Sequence, residues 1–256
     1  MTHSGWHADV AQSVGQPSST QDCAISRPAV RSHLHATRPR AARIGHTGPM
    51  GRTGSREHAL RAHLAPTGSE IVRPASARLL ALPTELRKSI LKIFHDFGGE
   101  GDLTATGPRG WDIILGDGLV VELDEEQHFT PYRAATLAAP WSSVLPWASD
   151  YTTFCARHAA AATWNAQHWT KPVPERLFGP PGPVGDFARA GSPRGKQRAL
   201  FDAIRDASAA AGTIRLARVS VHDSVAGVLL GEALSGRGHL DTGALIDLVR
   251  ARTTPA

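Results

Sequence analysis

Apolar residues first fall into a helical rhythm near Leu79. Leu86, Ile90, Leu91, Ile93 and Phe94 recur at three- and four-residue spacing, which predicts a helix opening at Pro83-Thr84-Glu85 with Thr84 as N-cap and ending at Gly98-Gly99. A short strand is expected over 101–106. Two apolar runs, 109–115 and 118–124, flank Gly116-Asp117-Gly118, the composition of a tight hairpin turn. Leu119, Val120 and Val121 are consecutive, as in a strand buried on both faces. A short helix is predicted after Pro131 and a longer one over 150–163, with Asp150 as N-cap. Residues 170–193, rich in Pro and Gly, read as a loop. A second long helix runs from Pro193 to Ala211, with Leu200, Phe201, Ile204 and Ala207 on one face and Gly212 as its stop. Residues 213–221 roughly alternate, as a half-exposed strand does, and a last helix is expected over about 241–252. Strands mixed with helices in this order imply an α/β layered domain.

Residues 1–76 show neither period. They are rich in Ser, Gly, Pro, Thr, His and Arg, and they are expected to be a disordered basic tail ahead of a domain over 77–256. The tail reads either as an arm for phosphates or as a spurious upstream extension, with Met50 one later start. The inert readings are preferred.

Charge sharpens this division. Residues 1–78 hold ten Arg and no Lys against four acids, whereas the remainder holds 18 basic residues against 19 acids. The high isoelectric point therefore belongs to the tail and says nothing about what the folded part binds. The two cysteines, Cys23 and Cys155, have no partners at zinc-ligand spacing, which argues against a disulfide scaffold or structural zinc. No apolar run approaches the length of about 18 residues that a membrane span needs, and no signal-peptide core opens the chain. A reducing cytoplasm is the expected compartment.

The chemistry concentrates at the hairpin. Glu122 and Asp124 alternate with Leu123 and so share a strand face. Pairing about a turn centred near 116–118 sets Asp112 opposite Glu122. Three carboxylates, Asp112, Glu122 and Asp124, are thus expected to face one point at the sheet end. Such a cluster is costly unless a cation offsets it, so these three are read as ligands for Mg²⁺ or Mn²⁺, a metal that can activate water for hydrolysis.

Asp112, the run Val120-Val121-Glu122-Leu123-Asp124 and the following His128-Phe129 resemble the restriction-endonuclease-like superfamily, written PD-(D/E)xK, and within it the very-short-patch-repair-like endonucleases. The similarity is close over 111–129 and loose over 79–222. The run from Glu122 to Phe129, with Lys196-Gln197-Arg198 downstream, is also similar to an uncharacterised actinobacterial family, which implies no activity. The resemblance implies a mixed sheet flanked by helices, Mg²⁺-assisted attack of water on a DNA phosphodiester, Asp112 and Glu122 as metal ligands, and His128 assisting proton transfer. Asp124 stands where most of the superfamily has Lys. His128, Lys196 or Arg198 would then have to supply the positive charge, and Glu85 would be a further acid on the first helix.

Plainer readings stand beside these. Glu125 and Glu126 suit a solvated strand end or helix start, and His128 suits a turn cap. Lys196 and Arg198, at a helix start, are read as phosphate-binding residues or as a solvated basic face. Trp111, Trp141, Trp147, Trp164 and Trp169 read as core. The leading expectation is a metal-dependent DNA endonuclease. Its rivals are an inactive binding module of the same fold, favoured by the missing Lys, and a small-molecule metallohydrolase.

Overall fold

The computed structural model describes residues 54–64, 76–166, 172–183, 186–187 and 191–255. The chain divides into units Met1–Gly48 and Pro49–Ala256, and every described residue lies in the second. Its helices are α1 (Ser55–Leu64), α2 (Thr84–Asp96), α3 (Pro131–Leu137), α4 (Ala148–Ala166), α5 (Pro172–Phe178), α6 (Pro193–Ala210), α7 (Leu230–Leu234) and α8 (Thr242–Ala251). The strands are β1 (Ile113–Ile114), β2 (Val120–Asp124), β3 (Leu216–Ser220), β4 (Ser224–Val225) and β5 (Val228–Leu229).

The sheet is small and mixed, in the order β1-β2-β3. The expected hairpin is present: Ile113 pairs with Val121 and Ile114 with Val120, antiparallel. Leu115 N donates to Leu119 O at 2.9 Å, and Gly118, at φ 80°, takes the left-handed turn position that a side chain would strain. β3 joins β2 in parallel, with Glu122 opposite Arg218 and Asp124 opposite Ser220. Its outer edge is covered by the C-terminus: Thr254 N donates to Leu216 O at 2.9 Å, and Thr253 bridges Ala217.

Alternation along β2 and β3 splits the core in two. Val121, Leu123, Ala217 and Val219 pack with Leu60, Leu230, Leu245 and Val249 from α1, α7 and α8. Val120 and Leu216 belong to the other cluster, with Ile90, Phe94, Trp147, Leu200 and Ile204. Helices thus cover both faces. On the α6 face, however, the positions after Val120 and Leu216 are Glu122, Asp124 and Arg218, all buried. The layer between sheet and α6 passes from hydrocarbon to ions within one strand.

α6 is held in register at both ends. Ser192 Oγ accepts from Gly195 N at 3.1 Å, and past the last turn Thr213 N reaches Ser208 O at 3.1 Å around Gly212, at φ 68°.

Several expectations are corrected. Within 1–76, residues 55–64 form α1, whose Leu60 is fully buried; its apolar positions are too few to show a period. The rest of the expected tail, 1–53 and 65–75, lies outside the described residues. Residues 101–106 hold a 3₁₀ turn over Leu103–Ala105, because Asp102 Oδ1 accepts from Thr104 N at 2.7 Å and bends the chain. The 170–193 loop contains α5. β3 is buried along its whole length, not half-exposed, because Arg218 is enclosed by acids. The N-cap of α2 is Pro83, one residue before Thr84, and Asp150 lies inside the first turn of α4. No helix among the described residues is long and apolar enough to cross a membrane.

Candidate functional site

Register brings Asp112 to Glu122. Asp112 N donates to Glu122 Oε1 at 3.2 Å, while Asp112 Oδ2 accepts from Leu123 N at 2.9 Å. Here a side chain takes the place of a ladder carbonyl, which is why β1 stops at Ile113. Asp112 Oδ1 accepts no hydrogen bond among the described residues. Arg61 of α1 donates to the Asp112 carbonyl. Burial raises the Asp112 carboxyl above its ordinary range, against the pull of the Leu123 N–H. Burial pushes Glu122 up to about 8, although Arg205 opposes it.

Arg205, from α6, stands beside this pair. Its Nη1 lies 3.1 Å from Glu122 Oε2, its Nη2 donates to Gly110 O at 2.9 Å, and its guanidinium lies 5.3 Å from the Trp111 ring centre. Arg205 therefore supplies the cation next to the carboxylates that the strand itself lacks.

Asp124 separates from the pair. Arg218 Nη1 donates to both its oxygens at 2.7 Å, and His128 Nδ1 lies 3.0 Å from Oδ1. Arg218 also reaches Asp202 at 3.1 Å through Nη2 and Asp206 at 2.8 Å through Nε. Asp206 pairs with Arg133 at 2.7 Å, and His128 Nδ1 with Asp202 at 2.9 Å. Burial alone would raise Asp124, but Arg218 and His128 outweigh it and hold its carboxyl below the usual range. Burial alone would discharge His128, but Asp202 and Asp124 outweigh it and push the imidazole up to about 9. Three carboxylates thus face three cations, Arg133, Arg218 and imidazolium His128. Ligand-type atoms of Asp124, His128 and Asp202 do lie within 4.8 Å of one another. Arg218 already occupies the electrostatic place that a metal would take among them.

A groove of about 1160 Å³ opens over both groups. Asp112, Glu122, His128 and Asp202 line it, and so do Arg78, Arg109, Arg176, Arg194, Arg198 and Arg205. Asp124 does not. Lys196 does not line it either; its ammonium lies 5.9 Å from the ring centres of both Tyr132 and Phe178, and burial lowers its pKa. Lys196 and Arg198, expected together as substrate contacts, are set apart, because two residues along α6 are turned by about 200° and meet different surroundings. Arg198 lines the groove and donates from Nη1 to Gln127 O at 3.2 Å. Glu85 is remote, in an exposed pair with Lys88. Trp147 is core, as expected, and Trp111 lies against Arg205.

The sequence reading passed over Asp202, Arg205, Asp206 and Arg218. The signal was present. Asp202, Arg205 and Asp206 fall at i, i+3 and i+4 on one side of α6, and Arg218 shares a strand face with Leu216 and Ser220.

Residues 92–236, which hold both groups, match the model of a protein family described as a family of unknown function, DUF7255. No curated protein and no solved structure matches the chain.

Proposed function

We propose that this chain, which belongs to the DUF7255 family of unknown function, is a metal-dependent endonuclease of the restriction-endonuclease-like fold acting on DNA in the cytoplasm. One observation carries the reading: a register-matched carboxylate pair, Asp112 and Glu122, lines an arginine-rich groove. The donor set suits Mg²⁺ or Mn²⁺, which take oxygen ligands and commonly use one or two protein carboxylates beside waters and substrate phosphates. Glu122 holds its proton near neutrality only while no stronger cation replaces it, so its raised pKa fits a group awaiting a divalent ion. When bound, the metal would supply an activated water and neutralise charge on the phosphoryl group.

The remaining roles fall to the chain itself. Arg205 orients Glu122 and offers a guanidinium to phosphoryl oxygens, a role that the superfamily this chain resembles gives to Lys. His128, an imidazolium at neutral pH, donates a hydrogen bond or a proton to the leaving oxygen and does not act as a base. Asp124 and Asp202 keep it charged. The groove arginines bind the sugar–phosphate backbone.

The test is plasmid nicking by the full chain with Mg²⁺ or Mn²⁺, beside Glu122→Gln and Asp112→Asn. Nicking by the wild type and its loss in both variants supports the reading. The closed ion network around Asp124 favours the second reading, an inactive binding module. Metal binding and DNA binding without nicking would move the function there.

A further inference from the structure

The arginines of the groove are not alike. Arg205 has Glu122 as a partner, whereas Arg194 and Arg198 form no ion pair among the described residues. They lie one turn apart on α6, on the groove-lining side. Arg194 Nη1 donates to Gln197 Oε1 and Arg198 Nη1 to Gln127 O, so both guanidinia are steadied by neutral acceptors. Gln197 is itself buried. Burial and the neighbouring Arg194 lower Arg198 to about 10, a mark of like charges confined together. Asp202, Glu125 and Asp124 are near enough to oppose that shift, yet none forms an ion pair with either arginine, and two half-buried guanidinia so fixed have the layout of an anion site, since guanidinium forks match phosphate oxygens.

We propose that Arg194 and Arg198, supported by Gln197 and Gln127, form a subsite for a backbone phosphate of the bound nucleic-acid strand, displaced from the Asp112–Glu122 pair. The inference rests on the nuclease reading for the identity of the strand. At about 1.5 Å per residue, Arg198 and Arg194 precede Arg205 by roughly 10 and 16 Å along α6. At about 3.4 Å per nucleotide, that distance corresponds to a phosphate roughly three to five nucleotides from the bond held at the carboxylates. The subsite would fix the strand's register relative to the reacting phosphate and read no base.

The experiment is fluorescence anisotropy of a short labelled DNA duplex with the full chain in EDTA, across a salt series. The proteins compared are the wild type, Arg194→Ala/Arg198→Ala, the milder Arg194→Gln, and Glu122→Gln. Losing this one phosphate contact in the double variant should flatten the slope of log affinity against log salt by about 0.9, and Arg194→Gln, which leaves Arg198 in place, should flatten it by part of that. Glu122→Gln should keep the wild-type slope. Arg194→Gln keeps the test decisive if the double variant does not fold, because Arg194 is only half-buried. Equal slopes in the wild type and the arginine variants would overturn the subsite while leaving the carboxylate site standing. Loss of nicking in Glu122→Gln with normal binding supports both proposals, whereas absence of nicking in the wild type with the predicted slopes would remove the hydrolase reading alone. Inorganic phosphate that raises the melting temperature of the wild type but not of Arg194→Gln, with no duplex binding, would overturn the strand assignment in favour of a free anion.

Discussion

Arg218 Nη1 donates to both carboxylate oxygens of Asp124 at 2.7 Å, with each side chain almost wholly buried. The contact joins neighbouring parallel strands from below, and it explains how three acids persist in a dry layer. Breaking a buried pair from one side strands the remaining charge. Arg218→Met is therefore expected to destabilise the domain by about 3–5 kcal/mol. Urea denaturation of the full chain measures this; a loss below about 1 kcal/mol would mean that Asp124, Asp202 and Asp206 find other partners.

His128 gives the domain a pH-dependent contribution of known sign. Its folded pKa is raised from 6.5 to about 9 by Asp202 and Asp124 acting against burial. The stabilisation is complete below pH 6.5 and is lost as pH rises through about 9. The stability of His128→Gln should fall short of wild type at pH 6 and approach it above about 9. A difference that grows toward high pH would contradict the assignment. The imidazole NMR titration reads the same pKa directly.

Glu122 has a raised pKa as well, but as an acid it must lose its proton against burial. Its folded pKa is about 8 against 4.5 for an exposed group. In EDTA, the contribution of Glu122 should be fully present below about pH 4.5 and lost as pH rises through about 8. Glu122→Gln removes that loss. At pH 8.5 and above, the variant is expected to be more stable than wild type, by up to about 5 kcal/mol. Thermal melts across pH in EDTA check this, and a destabilised variant at pH 8.5 would show that the Glu122 carboxylate is needed for folding.

α1 carries a further expectation. Leu60 is fully buried in the cluster with Leu230, Leu245 and Val249, and Arg56 pairs with Glu126 at 2.8 Å. Leu60→Ala should cost about 2–5 kcal/mol. A chain starting at residue 77 should lose stability by more, since it lacks the whole helix. An unchanged urea midpoint in Leu60→Ala would indicate that α1 is dispensable.

Where hydrophobic spacing was regular, structure was legible. α2, α6, α8 and the hairpin carry enough periodic residues or turn glycines to fix their type, and the hairpin register that places Asp112 against Glu122 follows from the turn centre alone. α1 escaped because only Leu60 and Leu64 mark its buried side among His, Arg and Glu. β3 was misjudged because Arg218 reads as a solvent-facing residue until Asp124, Asp202 and Asp206 are seen around it. The same blindness touched the site. Local alternation correctly put Glu122 and Asp124 on one face, but Asp124 was drawn away by a strand and a helix about 80 to 95 residues downstream. The cation expected to be a metal among three acids is, for Asp124, a guanidinium. The Asp112–Glu122 pair has one guanidinium, Arg205, beside two carboxylates, and so retains the need for a second cation.

That need is measured most directly by calorimetric titration of Mn²⁺ into the metal-free full chain at pH 7, beside Asp112→Asn and Glu122→Gln. Because Glu122 releases its proton when a divalent ion takes its place, the heat in the wild type should vary with the ionisation enthalpy of the buffer. The account predicts binding with proton release in the wild type and weakened binding in both variants, with release abolished in Glu122→Gln. Equal Mn²⁺ affinity in all three proteins, or no binding to the wild type, would contradict it.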